Sequence, residues 1–233
     1  MAMAAVRTGS RTTRPRRGDD ASLPARAIPP DHNAVFAHLP RFKLTLPASP
    51  ANRVRIIGGA WRRRLIRFPS ADGLHPTPDR VRETLFNWLG QDLTGKRCLD
   101  LYAGSGALTL EAASRGAALA VAVDSNRAAI GALRENCASL GATTVDARVG
   151  DAKAFIAGER REFDVIFLDP PFREDPWPWL LPACAERIAA DGFIYAEAAH
   201  ALEPPPGFEA WRRDKAGQVH YHVFKRAKLG SEP

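Results

Sequence analysis

Beyond residue 95 the chain alternates between short apolar runs and longer stretches in which apolar residues recur at helical spacing. The short runs are rich in β-branched and aromatic residues, so they predict buried strands at 97–102, 118–123, 144–149 and 163–168. Helical spacing lies between them, in one run that leads to Gly116 and in two others at 126–140 and 152–157. Strands that alternate with helices predict a parallel sheet with right-handed connections and helices on both faces.

The C-terminal part of the chain adds three more strands. A helix predicted over 177–189 leads to a fifth strand at 192–197, and two further runs follow at 208–213 and 219–225. Gly217 joins the last two runs by a tight turn, so one of them must run antiparallel. The sequence therefore predicts an α/β fold with a seven-stranded, mostly parallel sheet.

A hairpin and a helix are predicted ahead of this sheet. Residues 53–57 alternate as a strand does, Gly58-Gly59 is a turn signal, and 61–68 has the composition of a second strand. The helix is predicted from Pro78 to about Leu89, with Thr77 as its N-cap. Residues 1–50 are basic and have few periodic apolar positions, which predicts an N-terminal extension that is disordered.

Composition narrows the class of partner. The net charge of +7 favours an anionic partner, and nucleic acid is the usual one. No apolar run approaches the roughly 18 residues of a membrane span, so no membrane association is expected. Cys98, Cys137 and Cys184 are far apart and form no metal-ligand cluster with the histidines. This pattern predicts no metal site and a cytoplasmic protein.

The first candidate for chemistry is Asp169-Pro170-Pro171-Phe172, which follows the predicted strand at 163–168. This position places an acid at the carboxyl edge of the sheet, where ligands bind in open α/β folds. The two prolines stiffen the backbone, because each fixes φ near −65°. The Asp169 carboxylate and the Pro170 carbonyl are acceptors, and Phe172 offers a flat apolar face. Two acceptors beside an aromatic plane suit the exocyclic amino group of a stacked base; the alternative is a strand that ends in a proline-rich turn.

A glycine-rich turn lies between the first predicted strand of the body and its helix. Gly104 and Gly106 let the backbone approach a ligand closely there. The third glycine of a dinucleotide fingerprint is missing, and so are the residues of a phosphate-binding loop. A ligand without phosphates therefore fits better than NAD or ATP.

Acids stand at or near the carboxyl ends of four successive strands, namely Asp100, Asp124, Asp151 and Asp169. Asp124 stands about 20 residues past the glycines, where an acid accepts hydrogen bonds from ribose hydroxyls. Asp151 can accept from an adenine amine, and Asp100 can orient the glycine turn or face a cationic group. A carboxylate-rich pocket without phosphate ligands prefers a cationic nucleoside, and S-adenosylmethionine meets that description.

Basic residues cluster ahead of the body. The predicted hairpin has six arginines and no acid among them, at Arg53, Arg55, Arg62, Arg63, Arg64 and Arg67. Such a surface favours contact with nucleic-acid phosphates over a merely solvated charged face. In the following helix Arg80 and Arg82 lie off the core stripe, which consists of Val81, Leu85, Phe86 and Leu89. The candidate nucleic-acid contacts are Arg62, Arg63, Arg64, Thr77, Arg80 and Arg82.

Five stretches together resemble one family. They are 55–62, 76–89, 100–116, 169–172 and 217–221. In this combination the chain resembles the bacterial small-subunit (16S) rRNA guanine-N2 methyltransferases, from about Arg53 to Lys225. The helix together with the glycine motif is specific to that family, whereas Asp-Pro-Pro-Phe is shared with many amino-methyltransferases.

The resemblance implies a class I, Rossmann-like methyltransferase that uses S-adenosylmethionine to methylate the exocyclic N2 of one guanine in 16S rRNA. It maps the cofactor site onto Asp100, Ala103, Gly104, Gly106, Asp124 and Asp151. It maps the catalytic base pocket onto Asp169, Pro170, Pro171 and Phe172. Residues 95–228 would then be the methyltransferase domain and 51–94 an RNA-binding region. The expected partner is 16S rRNA within a small-subunit particle, and the enzyme is expected to be a monomer.

Two other functions remain open from the sequence. The Asp-Pro-Pro-Phe motif also permits methylation of adenine N6 in DNA or RNA, although no separate DNA-recognition domain is predicted. A non-catalytic RNA-binding protein with a methyltransferase fold is the second alternative, and the complete glycine turn and the strand-end acids argue against it.

Overall fold

Residues 53–70 and 76–227 are described by the structure, which is a computed structural model. The extension predicted over 1–50 lies outside these residues. The described strands are β1 Arg53–Arg55, β2 Leu65–Arg67, β3 Arg97–Asp100, β4 Leu119–Asp124, β5 Val145–Val149, β6 Phe163–Leu168, β7 Ile188–Ala198, β8 Phe208–Ala216 and β9 Val219–Arg226. The described helices are α1 Asp79–Leu89, α2 Ala107–Ser114, α3 Arg127–Leu140, α4 Ala152–Gly158 and α5 Trp177–Ala185.

Seven of these strands form one sheet, in the order β5-β4-β3-β6-β7-β9-β8. Strands β3 to β7 are parallel to one another, whereas β9 pairs antiparallel with both β7 and β8. The chain builds outward from β3 to β5, then crosses back to place β6 on the other side of β3. The predicted seven-stranded, mostly parallel α/β sheet is thus confirmed, and its switch point lies between β3 and β6.

Alternation along the strands sends side chains to two faces. Leu99 and Val121 pack into a core that includes residues of α4 and α5. Val165 and Phe167 pack instead into a core that includes residues of α1 and α2. The hairpin of β1 and β2 joins α2 and α3 in a third core on that second face. By the same alternation Asp100 and Asp169 belong to the face that α1 and α2 cover.

Two predicted bounds are wrong for the same reason. The predicted helix over 177–189 ends at Ala185, and the strand predicted to begin at 192 begins at Ile188. Ile188 pairs with Phe163 across the sheet, with an irregularity in the register before Val165. Pairing with a neighbouring strand has therefore overridden the helical pattern of 186–189. The local sequence pattern does not predict this pairing.

The hairpin also differs from its prediction. β1 and β2 have three residues each, and Ile56 to Arg64 form the loop between them. Arg62, Arg63 and Arg64 therefore lie in that loop and not on a strand. Gly58 and Gly59 are needed for contact with α2 rather than for the turn alone. A Cβ on Gly59 would lie 1.9 Å from the Ser114 carbonyl oxygen, and one on Gly58 would lie 2.3 Å from Arg115 Nη2.

Glu111 of α2 is the buried anchor of the hairpin. Its carboxylate is fully buried and accepts hydrogen bonds from the backbone N–H groups of Ile57 and Gly58, at 2.8 and 2.7 Å. Arg115 donates to it through Nε and Nη2 at 2.9 and 2.8 Å. Arg82 lies 3.5 Å from it on the other side. A buried carboxylate needs such partners, because an unpaired one would be costly.

The prediction that Arg82 contacts RNA is wrong. Its side chain is 1% exposed, and it donates to the Thr77 and Arg55 carbonyls and to Asp79 at 3.0, 2.9 and 2.6 Å. Arg55 is not free of acids either, because it pairs with Asp79 at 3.2 Å. Arg82 therefore links the hairpin to α1 and α2, and its charge is paired with Asp79 and Glu111 inside the protein.

No helix in the described ranges is long and apolar enough to cross a membrane. The hairpin and α1 belong to the same compact unit as the sheet. The division at residues 94 and 95 therefore stays a prediction about RNA binding.

Candidate active site

A small cleft opens at the switch point of the sheet, beside the carboxyl ends of β3 and β6. Five of the predicted site residues line it together, namely Thr77, Asp100, Ala103, Gly104 and Asp169. The sheet topology explains why Asp100 and Asp169 lie close together, because Asp100 is paired with Phe167, two residues before Asp169. The cleft therefore brings three of the six predicted cofactor residues, Asp100, Ala103 and Gly104, together with the predicted catalytic acid Asp169.

Asp100 is a buried acid at the base of this cleft. It is 3% exposed and accepts a hydrogen bond of 2.7 Å from the Thr109 hydroxyl of α2. Burial raises the pKa of Asp100 to about 7; the Thr109 hydrogen bond opposes that rise and the charge of Asp124 adds to it. A carboxyl group in this state gains from a nearby positive charge, so the site favours a cationic ligand.

Asp124 holds the glycine turn from the neighbouring strand. Its Oδ2 accepts a hydrogen bond of 2.7 Å from the Gly104 N–H, and its Oδ1 accepts one of 2.7 Å from the Asn126 N–H. Gly104 has a φ of 50°, a left-handed conformation that favours glycine. Gly104 also lines the cleft. The half-buried carboxylate keeps further lone pairs at the end of β4, where the sequence predicted contact with ribose hydroxyls.

Gly106 lies at the start of α2, and its predicted contact with the cofactor remains a prediction. It is the N-cap residue of α2 with φ of 76°, and a Cβ there would lie 2.5 Å from Leu133 Cδ1. Its lack of a side chain therefore serves the packing of α2 against α3. Gly106 is not among the residues that line the cleft.

Asp151 stands farther along the same edge, after β5. It is exposed and caps α4, since its Oδ1 accepts a hydrogen bond of 2.8 Å from the Ala154 N–H. Contact between Asp151 and an adenine amine remains a prediction. Its second carboxylate oxygen accepts no hydrogen bond from the residues that the structure describes.

Asp169 and Pro170 present two acceptors that the fold leaves unused. Neither the Asp169 carboxylate nor the Pro170 carbonyl accepts a hydrogen bond within residues 53–70 and 76–227. Burial raises the pKa of Asp169 well above its ordinary value, and the charges of Glu197 and Asp100 raise it further. Pro170 is buried, Pro171 is exposed, and the Phe172 ring is 50% exposed beside them. An exposed aromatic ring next to two free acceptors suits a planar ligand that carries an amino group.

Glu197 is a site residue that the sequence analysis missed. It stands on β7 directly after Ala196, which pairs with Leu168, so it is the cross-strand neighbour of Asp169. Its side chain is 3% exposed, and its Oε1 accepts from the Thr77 and Tyr195 hydroxyls at 2.8 and 2.9 Å. Burial raises the pKa of Glu197, while these two hydrogen bonds lower it. A glutamate among small apolar residues at a strand end was the only signal in the sequence.

The prediction that Thr77 caps α1 is wrong, whereas its predicted contact with RNA remains a prediction. The N-cap is Pro78, which makes no side-chain cap, and the Thr77 hydroxyl is committed to Glu197. Arg62, Arg63 and Arg64 are exposed, as RNA contacts would have to be, and so is Arg80. Arg80 also acts electrostatically on Asp214 of β8, which places the two close together. Phosphate contact by these four arginines remains a prediction.

The lining of the cleft tests which cofactor it suits. It contains two carboxylates, Asp100 and Asp169, and no lysine or arginine. The charged side chains that a phosphate-bearing ligand would meet here are both acids, whereas a sulfonium or ammonium group would be attracted to them. The residues therefore fit S-adenosylmethionine better than a nucleotide phosphate. Within the described residues no group of three or more His, Cys, Asp or Glu side chains could hold a metal ion.

A larger open groove of about 440 Å³ lies away from this cleft, beside α4. Its arginines, Arg148 and Arg161, are paired with Asp146 and Glu159 at 2.6 Å each. None of the predicted site residues lines it, so it has no part in the chemistry considered for the cleft.

Known proteins resemble this chain over most of its length. Residues 54–225 match the model of the family described as conserved hypothetical protein 95. The ribosomal RNA small subunit methyltransferase D of Escherichia coli is 39% identical over 187 residues, which cover 78% of this chain and 94% of that protein. The protein of the same name from Haemophilus influenzae is 33% identical over 180 residues, which cover 74% of this chain and 93% of that protein.

Solved structures agree with the sequence comparison. The Escherichia coli protein yhhF matches with a TM-score of 0.69 and 39% identity, over 75% of this chain and 98% of its own. The Thermus thermophilus 16S rRNA N2 G1207 methyltransferase, solved in complex with AdoMet and guanosine, matches with a TM-score of 0.59 over 76% of this chain and 50% of its own. At 23% identity this second match shows a shared fold.

Proposed function

This chain belongs to the family described as conserved hypothetical protein 95, and we propose that it transfers a methyl group from S-adenosylmethionine to the exocyclic N2 of a guanine in 16S rRNA. It is an rRNA methyltransferase, as are its relatives named ribosomal RNA small subunit methyltransferase D. The observation that carries the choice of target atom is the pair of unused acceptors on Asp169 and Pro170, beside the exposed ring of Phe172.

These acceptors can prepare an amino group for reaction. The lone pair of N2 is delocalised into the purine ring, which makes that nitrogen a poor nucleophile. Hydrogen bonds from its two N–H groups to the Asp169 carboxylate and the Pro170 carbonyl would favour a pyramidal nitrogen and fix its direction of approach. Positioning of this kind is worth several kcal/mol of the barrier.

Phe172 holds the base in this arrangement. A guanine that is taken out of its stack exposes both faces, and an aromatic side chain can replace one of the lost neighbours. The Phe172 ring is exposed beside the acceptors, so no rearrangement of the core is needed to reach it. Pro170 and Pro171 keep the loop stiff, so the acceptors and the ring keep a fixed relation to each other.

Asp169 also handles the charge of the reaction. When bound, the donor supplies an electrophilic methyl group and a positive charge that favours the ionised forms of Asp100 and Asp169. The nitrogen becomes positive as the new bond forms, and the Asp169 carboxylate stabilises that charge and accepts the proton that the nitrogen then loses. Its raised pKa makes it a stronger base than an ordinary aspartate.

The cofactor site follows from the same edge of the sheet. Asp100 faces the cationic part of S-adenosylmethionine, the turn of Ala103 and Gly104 approaches it through the backbone, and Asp124 accepts from the ribose hydroxyls. Asp151 accepts from the adenine amine. Support comes from the shared lining of Asp100, Ala103 and Gly104 and from the free lone pairs at the ends of β4 and β5.

The substrate is proposed to be 16S rRNA inside a small-subunit particle, methylated by a monomeric enzyme in the cytoplasm. The exposed arginines of the β1–β2 loop provide phosphate contacts.

The test uses small-subunit particles and naked 16S rRNA from a strain that lacks the corresponding gene. The purified protein and labelled S-adenosylmethionine should produce N2-methylguanosine at one position, mapped by mass spectrometry of rRNA fragments. Asp169→Ala should abolish transfer while calorimetry shows nearly unchanged S-adenosylmethionine binding. The control is Asp175→Ala, an exposed acid in the same loop, which should keep full activity. Methyladenosine as the product, or near-normal rates in Asp169→Ala, would overturn the assignment.

A further inference from the structure

A group of basic side chains lies at the outer part of the catalytic edge, on β8, β9 and the loop after β7. His220 pairs with Ala198 of β7 and with Lys215 of β8, and His222 pairs with Ala196 and with Arg213. Directly paired residues send their side chains to the same face of a sheet. The two histidines, Arg213 and Lys215 therefore share the face that Ala196 and Ala198 help to form with α5.

His222 is the buried centre of this group. Its side chain is 1% exposed, and its Nε2 accepts a hydrogen bond of 3.2 Å from the Leu202 N–H. The ring is therefore neutral with its proton on Nδ1, which faces the Ala196 carbonyl at 3.4 Å. Burial lowers the pKa of His222, and His220, Arg213 and His200 lower it further. The His220 ring lies 6.4 Å from the His222 ring, and Arg213 pairs with His222 across the sheet. His200 lies between Ala198, which pairs with His220, and Leu202, which is hydrogen-bonded to His222.

The charge of this group has no internal partner. Arg213, Lys215 and His200 are exposed, and none of them forms an ion pair with a residue in the described part of the chain. The acid between Arg213 and Lys215 points the other way, because Asp214 accepts a hydrogen bond of 2.9 Å from the Tyr221 hydroxyl on the α1 face. Glu209, the other acid of β8, is paired with Lys225 at 3.1 Å.

The position of the group relates it to the base pocket. Ala198, which pairs with His220, directly follows Glu197, and Glu197 is the cross-strand neighbour of Asp169. Two strands, β7 and β9, separate β6 from β8. At about 4.8 Å between neighbouring strands, β8 lies roughly 14 Å from β6. Asp169 and Glu197 project toward the α1 and α2 face, whereas the basic group projects toward the α5 face. The group therefore meets RNA that passes over the carboxyl edge of the sheet, next to the target guanine, and does not meet the target base itself.

We propose that His200, Arg213, Lys215 and His220 bind the RNA backbone phosphates that flank the target guanine. The proposal rests on the proposed function and adds a second RNA contact, distinct from the arginines of the β1–β2 loop. Arg213 and Lys215 supply charge-assisted hydrogen bonds to phosphate oxygens, and the histidines supply further donors. Buried His222 keeps the loop after β7 in place through its bond to Leu202.

The test measures binding of a 16S rRNA fragment that contains the target guanine, as a function of salt. Arg213→Glu and Lys215→Glu are each compared with Arg160→Glu, an exposed arginine between α4 and β6 with the same change in charge. Arg213→Glu and Lys215→Glu, the two rim variants, should each bind the RNA about tenfold more weakly than the wild type. The slope of the logarithm of the binding constant against the logarithm of the salt concentration should fall in magnitude by about one. Arg160→Glu should stay within about twofold of the wild type, and all three should bind S-adenosylmethionine normally.

The outcomes separate this site from the proposed function. Wild-type affinity in both rim variants, while the wild-type protein methylates guanine, would refute the phosphate site alone. Failure of the wild-type protein to methylate guanine would refute the proposed function. Normal binding of naked RNA with loss of binding to the particle would show contact with a ribosomal protein instead, and would also overturn the proposal. Arg213→Gln and Lys215→Gln keep the experiment decisive if charge reversal prevents folding.

Discussion

Thr77 and Glu197 are joined by a hydrogen bond of 2.8 Å, from Thr77 Oγ1 to Glu197 Oε1, across 120 positions of the sequence. Both side chains are buried, and Tyr195 donates to the same oxygen at 2.9 Å. Because Thr77 lines the cleft together with Asp169, this bond ties the wall of the cleft to the end of β7. The Glu197 carboxylate, whose charge raises the pKa of Asp169, therefore also holds Thr77 in place on the wall of the cleft.

We expect Thr77→Val to lower the free energy of unfolding by about 1–3 kcal/mol, because Glu197 loses one of its two donors while it stays buried. Methyl transfer should slow more than S-adenosylmethionine binding weakens, since the wall of the base pocket is affected first. Urea unfolding and single-turnover transfer measure the two effects. Thr143→Val is the control, at an exposed threonine remote from the cleft. Equal stability of the two variants would show that the buried bond has no such role.

The role of Glu197 could not be predicted from the sequence, although the strand that carries it could. The strand that carries it was predicted, and so were the strand-end acids Asp100, Asp124 and Asp169, because a strand and the turn after it are local patterns. The importance of Glu197 depends on two partners that only the fold supplies, the hydroxyl of Thr77 and the neighbouring carboxylate of Asp169. No local pattern records those distances.

The burial of Arg82 cannot be predicted from the sequence for a related physical reason. An arginine off the apolar stripe of a helix is usually solvated, so the pattern of α1 predicted exposure. The burial of Arg82 is stabilised by Glu111 of the next helix, α2, and by the carbonyl groups of Arg55 in the hairpin and of Thr77. The glycines of the hairpin were likewise assigned to a turn, whereas their contact with Ser114 and Arg115 appears only in three dimensions.

Asp100 should give the protein a measurable dependence of stability on pH. Its pKa is raised to about 7 in the folded state, against about 3.9 in an unfolded chain. Between these values the folded state binds the additional proton, so the contribution of Asp100 to stability falls as the pH rises from about 4 to about 7, and is constant above. Asp100→Asn removes this titration. The stability of the wild type relative to Asp100→Asn, measured by urea unfolding from pH 5 to 8 without S-adenosylmethionine, should therefore decrease with pH; a flat difference would mean that Asp100 has an ordinary pKa.

Arg82 and Arg64 should respond in opposite ways to the same substitution. Arg82→Met removes a buried partner of Glu111 and should cost about 3 kcal/mol of unfolding free energy. Arg64→Met changes an exposed side chain of the β1–β2 loop and should stay within about 0.5 kcal/mol, while it weakens rRNA binding and reduces its salt dependence. Denaturant unfolding and salt-dependent RNA binding, measured on both variants, compare them directly. An unstable Arg64→Met or a fully stable Arg82→Met would reverse the roles assigned to the two arginines.

Gly59→Ala should detach the hairpin from α2. Gly59 has φ of 73°, and an added Cβ would lie 1.9 Å from the Ser114 carbonyl oxygen, which accepts from the Ala60 N–H at 2.7 Å. The substitution therefore combines backbone strain with a collision against backbone that cannot move aside. Gly141→Ala is the matched control, because its φ of 67° is similar and no atom lies within 4 Å of the added Cβ. The control should cost about 1–2 kcal/mol from the left-handed conformation alone, and Gly59→Ala clearly more, with faster amide exchange at Ile57 and Gly58 as the hairpin opens. Equal costs for the two variants would mean that the hairpin adjusts to the added methyl group, and that its contact with α2 is not as tight as the structure has it.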